Sequence, residues 1–154
     1  MGRTLLAAGL AVCLAACGDG PAEPPTPSDG EALVTLINQR RAELSCPAVT
    51  ADMRLADAAD RHARDMIRHG VRDHTGSDGS TAQQRIADTG FEASASGEIL
   101  YWAQGTGDAE QAVDAWMHSP GHRAIISDCR LTHVGAAALT AGREYVAVAD
   151  LATP

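Results

Sequence analysis

The stretch Ala115-Trp116-Met117-His118-Ser119-Pro120-Gly121-His122-Arg123-Ala124-Ile125-Ile126 divides the chain into a helical part and a sheet part. Upstream of it, Asp108 is placed to cap a helix that runs through Val113 and Trp116. Pro120 ends that helix and restarts the chain in a short turn, since proline lacks an N–H but fits a first helical position. Beyond Thr132 the apolar spacing changes from helical to alternating. Residues 133–140 and 144–151 read as two strands joined by Ala141-Gly142-Arg143. Further upstream the spacing is helical again. Leu33, Leu36, Ile37 and Leu44 predict a helix over about 29–44, with capping-box spacing in Ser28-Asp29-Gly30-Glu31. Leu55, Ala59, Ala63 and Met66 predict a second, opening at Asp52 and ending near Gly70. Glycines and aspartates make 71–80 a loop, and 80–89 is a short helix closed by Gly90. The expected fold class is α+β, helices with a small antiparallel sheet.

At 154 residues the chain has room for one domain. Its net charge of -8 argues against nucleic acid as a partner, because phosphate backbones reward a basic face. All 12 cationic residues are arginine, which excludes phosphate-loop and Schiff-base lysine chemistry. Arg3 followed by the apolar run 5–14 reads as a signal-peptide core, being about half the ~20 residues needed to span a bilayer. The run ends in Leu14-Ala15-Ala16-Cys17, similar to a bacterial lipobox, in which Cys17 would be lipidated and become the mature N-terminus. The other reading is ordinary secretory cleavage near Ala16. The organisation expected is a lipoprotein signal peptide over 1–16, an acylated cysteine with a proline-rich tether over 17–29, and a domain over 30–154. Pro21, Pro24, Pro25 and Pro27 make that tether an extended spacer holding the domain off a membrane. With Cys13 removed and Cys17 lipidated, Cys46 and Cys129 remain, and in an exported domain they are expected as a disulfide. A nucleophilic thiol is the competing reading, but neither cysteine has a thiolate-activating neighbour.

The six histidines are not equivalent. His62, amid Ala59, Ala63 and Met66, reads as a core or rim histidine held by a backbone carbonyl, and His69 as a partner of the helix dipole. His74 and His122 sit in glycine-flanked loops, where binding groups concentrate. Glu98 is a lone carboxylate just before an apolar run, a position that favours burial and demands a partner. His74, His122 and Glu98 form either a zinc set with an open position or a hydrogen-bonded set lining a cleft. His118 and His122 are four apart, but Pro120 breaks the helix a zinc pair would use. No Gly-x-Ser-x-Gly elbow occurs.

In order and spacing, several segments together resemble the CAP superfamily, also called SCP-like: cysteine-rich secretory proteins, antigen 5 and pathogenesis-related 1 proteins. They are Leu36-x-x-x-Arg40, Asp52-x-x-Leu55-x-x-x-Ala59-x-x-His62-Ala63-x-Asp65-Met66, His74-Thr75-x-x-Asp78-Gly79, Arg85-Ile86, Gly90-Phe91, Gly97-Glu98, Ala115-Trp116-x-x-Ser119-Pro120-Gly121-His122-Arg123-x-x-Ile126 and Val134-Gly135. The likeness is to the short bacterial branch. It implies an α-β-α sandwich with a small central antiparallel sheet. It also implies a cleft whose two histidines fall on His74 and His122 and whose first glutamate falls on Glu98. Ser119 stands where the family's second glutamate would. In some members such a cleft binds a divalent metal such as zinc, which here would fall to His74, His122 and Glu98. Ile99 and Ile125 replace two asparagines common in the family, making the surroundings more apolar.

The function this implies is an envelope lipoprotein whose domain binds a lipid or cell-wall component without catalysis. The alternative is a metal-dependent hydrolase acting on peptides or esters in the same cleft, with metal-bound water as the nucleophile.

Overall fold

The structure is a computed structural model that describes residues 29–154. The signal peptide, Cys17, nearly all of the tether and the Ser28 end of the first capping box lie outside the described residues. Five helices and four strands follow in the order α1 Asp29–Glu43, β1 Thr50–Ala51, α2 Met53–His69, α3 Ala82–Asp88, β2 Ala95–Gln104, α4 Ala109–His118, α5 Pro120–Ile126, β3 His133–Ala141 and β4 Glu144–Thr153. The sheet order is β1-β3-β4-β2. β3, β4 and β2 run antiparallel, while the two-residue β1 lies parallel to β3. The sheet is therefore mixed, an antiparallel core with one short parallel edge.

Local chemistry sets the boundaries. Asp52 caps α2, its side chain accepting from Arg54 N, and Gly70 closes the helix in the left-handed region at φ 67°. Asp108 caps α4 through Gln111 N, and Thr81 with Gln84 forms a full capping box on α3. Pro120 begins a seven-residue helix rather than a turn.

Helices cover the sheet on both sides. Leu33 and Ile37 of α1, Val113 and Trp116 of α4, and Ile126 of α5 pack on the face carrying Ile99, Val134, Tyr145, Ala147, Ala149 and Leu151. Ala59, Ala63 and Met66 of α2 pack on the face carrying Leu100, Val146 and Val148. With both faces of β4 covered, its sequence is almost continuously apolar rather than alternating. The same double burial hid β2 from periodicity. Its centre, Glu98-Ile99-Leu100, is buried residue after residue, so the sequence showed only an apolar run. Gly135 shows how closely α2 approaches. A Cβ there would run into the backbone of Leu55 and Ala56, so only glycine lets α2 rest on β3.

The opposite end is tied by two devices. Cys46 and Cys129 form a disulfide across 83 residues, a loop whose closure stabilises by about 4–5 kcal/mol in the chain-entropy picture. Beside it, the fully buried Arg41 donates to the carbonyls of Pro47, Ile126, Asp128 and Leu131 at 2.8–3.0 Å.

Candidate functional site

At one level of the sheet, Glu98 of β2 and Asp150 of β4 are cross-strand partners, and Gly135 of β3 is the next residue across. Glu98 therefore lies on the face that α2 covers. Its carboxylate is almost fully buried, its side chain 2% exposed. One oxygen meets His74 Nδ1 at 2.8 Å, and the other accepts from Arg85 Nη2 at 2.6 Å. A carboxylate paired with arginine can only accept, so His74 carries its proton on Nδ1 and turns Nε2 away from Glu98.

The loop bearing His74 is held from behind. His62, on the buried face of α2, hydrogen-bonds the Asp73 carbonyl through Nε2 at 2.9 Å, the backbone-satisfied role expected of it. Arg85, 1% exposed, donates to the carbonyls of His74 and Ser80 as well as to Glu98. Burial holds the His62 imidazole below its ordinary range, so it is a neutral strut.

Asp150 is fully buried, and neither carboxyl oxygen has a hydrogen-bond partner among the described residues. Burial, reinforced by the neighbouring Glu98 charge and opposed by Arg85, pushes its carboxyl well above the usual range. Asp150 is thus a neutral acid beside an ion pair.

His122 and Ser119 stand apart from this cluster. Both line a cavity of ≈ 210 Å³ at the β2 edge of the sheet, together with Leu100, Tyr101, Trp102, Ala115 and Trp116. Ser119 opens α5 without capping it through its hydroxyl, and His122 has no side-chain partner among the described residues. Burial, with a smaller contribution from His74, lowers the His122 pKa and favours the neutral ring. Trp116 braces the cavity wall, its indole N–H donating to Leu100 O at 2.9 Å.

The sequence-expected residues thus fall into two groups, His74 hydrogen-bonded to Glu98, and His122 with Ser119 on the cavity wall. Among the described residues no three histidine, cysteine, aspartate or glutamate side chains gather within reach of one metal ion, so the expected set of His74, His122 and Glu98 is not assembled as such. Arg85 entered the sequence reading without a role, and Asp150 not at all. The one available signal for Asp150 was a single charge inside the apolar run 145–151. His69 lies in the last turn of α2, and there its Nδ1 also pairs with Asp65 at 2.7 Å, with Ser77 Oγ 3.2 Å from the same nitrogen. Acid and hydroxyl on one nitrogen cannot relay a proton as a Ser-His-Asp triad does. Ile125, in place of an amide, packs over Gly97, where a Cβ would come within 2.9 Å of it.

An outer surface protein of Borrelia burgdorferi has the same fold, at TM-score 0.72 and 25% identity over 81% of this chain and 92% of that one. An extracellular SCP-domain protein of Bacillus anthracis aligns at TM-score 0.71 and 21% identity, covering 86% of this chain and 45% of that one. NaASP2, solved with Zn2+, aligns at TM-score 0.62 and 14% identity, over 86% of this chain and 83% of the other. None of the curated proteins matches in sequence. The model of the cysteine-rich secretory protein family, CAP, matches residues 34–151. With that match running from within α1 to near the end of β4 and including His74, Glu98, Ser119 and His122, the chain belongs to the CAP family of extracellular proteins.

Proposed function

We propose that this protein is a lipid-anchored envelope protein whose CAP domain binds a lipid or cell-wall component without catalysis. The observation that carries the reading is the ≈ 210 Å³ cavity with two polar side chains, Ser119 and His122, that the fold itself leaves unengaged. Both side chains are half-buried and carry hydrogen-bonding capacity that no other described side chain takes up, which suits a ligand in the cavity. Glu98 argues against a hydrolase. Both its oxygens are occupied, and Arg85 keeps it in an ion pair, so it is not a free general base. No helix among the described residues is long and apolar enough to cross a membrane, and anchoring rests on acylation of Cys17.

A divalent cation would have only two protein ligands in this cleft, since no three metal-ligating side chains gather among the described residues, and would complete its coordination with water or the bound ligand. His74 Nε2 and His122 would hold it, and Glu98 would orient His74 from behind, as carboxylates do for metal-bound histidines. Such an ion would supply a Lewis-acidic contact for a ligand oxygen. Calorimetric titration of zinc should give binding that is lost in both His74→Ala and His122→Ala. Heats unchanged by either substitution would remove the metal from this reading.

The binding function is tested by co-sedimentation of the purified protein with cell-wall sacculi and with phospholipid vesicles. Wild type should sediment with one of them, and the folded Ser119→Ala/His122→Ala variant should stay in the supernatant. Equal sedimentation of the two would exclude this cavity as the binding site. Cys17→Ser should release the protein from membranes.

A further inference from the structure

Trp102 is one of two large hydrophobic side chains exposed among the described residues, at 46% exposure, and it forms the rim of the ≈ 210 Å³ cavity. It is held in place. The Arg72 guanidinium lies 6.0 Å from its ring centroid and is itself fixed by an ion pair with Glu144 and by the carbonyls of Met66 and Val71. An indole braced by an anchored cation has lost little mobility still to lose on binding. Resting on the cleft reading above, we infer that Trp102 is a stacking platform for the pyranose ring of an uncharged cell-wall glycan, whose hydroxyls meet Ser119 and His122.

Five of the seven lining residues are apolar or aromatic and would serve an acyl chain as well as a sugar face, and it is the two polar ones, Ser119 and His122, that favour a sugar. A pyranose offers C–H bonds on its faces and hydroxyls around its rim. The indole matches the first, and the unengaged hydroxyl and imidazole match the second. His122 in its neutral form both donates and accepts, which suits a hydroxyl. An acyl chain would leave Ser119 and His122 without partners. Arg72, the cation beside the indole, is already paired with Glu144, so it is not free to select an anionic headgroup.

The test is a calorimetric titration of the full protein with a β-1,4-linked N-acetylglucosamine tetrasaccharide, in parallel with decanoate below its micelle concentration. Trp102→Ala and Trp102→Tyr are compared with wild type, and circular dichroism confirms that each variant is folded. The expected result is saturable tetrasaccharide binding that Trp102→Ala weakens about tenfold, the scale of one lost aromatic contact, and that Trp102→Tyr largely preserves. Trp102-dependent binding of decanoate alone would overturn the glycan assignment and leave the ligand-binding reading standing. Tetrasaccharide binding that Trp102→Ala leaves unchanged would overturn the platform. Neither probe binding up to about 10 mM, a limit that corresponds to negligible affinity, would overturn the glycan assignment, and the co-sedimentation result would then decide the broader reading by itself.

Discussion

The two faces of the sheet are built by different means. On the α1, α4 and α5 face the contacts are apolar, with Leu33, Ile37, Trp116 and Ile126 essentially without exposure. On the α2 and α3 face that apolar packing is interrupted at one level by Glu98, Arg85, His62 and Asp150, all buried. Apolar burial is tolerant of small shifts and is rewarded by area. A buried ion pair is rewarded only if its geometry is held, and its net contribution to stability is small. The second face therefore makes sense as preorganisation. It gives up packing at one level in order to fix His74, its loop and the direction of Nε2.

The largest expected effect breaks that level. Arg85→Met strands the Glu98 carboxylate in the interior and should cost about 3–5 kcal/mol, comparable with Trp116→Ala on the apolar face. Urea unfolding of the two variants provides the comparison. The two faces then separate in a double variant: Arg85→Met/Glu98→Leu should recover a large part of the loss, since no unpaired charge remains. Arg85→Met falling below about 1 kcal/mol would mean that water reaches Glu98 and the level is not closed.

Much of the apolar face was legible in the sequence, and much of the polar level was not, for a physical reason. Helix periodicity and caps are local, so α1, α2, α4 and the Asp52 and Asp108 caps follow from spacing alone. His74, Glu98 and His122 stood out because each lies beside a glycine or at the edge of an apolar run. The Glu98–Asp150 adjacency, by contrast, depends on the register of β2 against β4 across 52 residues, which no local pattern encodes. Arg85 reaches Glu98 only because α3 folds back over the edge strand. β2 itself was hidden by burial on both sides.

A smaller, pH-dependent effect sharpens the contrast. Asp150 faces Glu98 of β2 and Arg85 of α3, with His62 of α2 beside that pair, and its folded pKa is raised. A raised carboxyl leaves the native state binding more protons than the unfolded chain. Its contribution is complete below the unfolded carboxyl value of about 4 and is lost as pH rises toward the folded value. Asp150→Asn removes that titration. Urea unfolding at pH 5 and pH 8 should show the wild type losing stability relative to the variant, by up to about 1.4 kcal/mol per pH unit within the window. Parallel profiles would mean that Asp150 is ionised in the native state.

The smallest effect belongs to the outer surface of α2. Arg61 makes two ion pairs, with Asp78 at 2.9 Å and Asp88 at 2.8 Å, within a few tenths of an ångström of the 2.6 and 2.8 Å contacts of Glu98. Distance, however, does not set their worth. The Arg61 side chain is 45% exposed and its two partners are more exposed still, so water and salt screen the attraction and side-chain entropy opposes it. Arg61→Ala should shift the urea midpoint by no more than the scatter between replicate melts and leave zinc and glycan titrations unchanged. A shift comparable with that of Arg85→Met would show that the Asp78 loop, and not the buried level, holds His74 in place. The division of labour between the two sides of α2 would then be reversed.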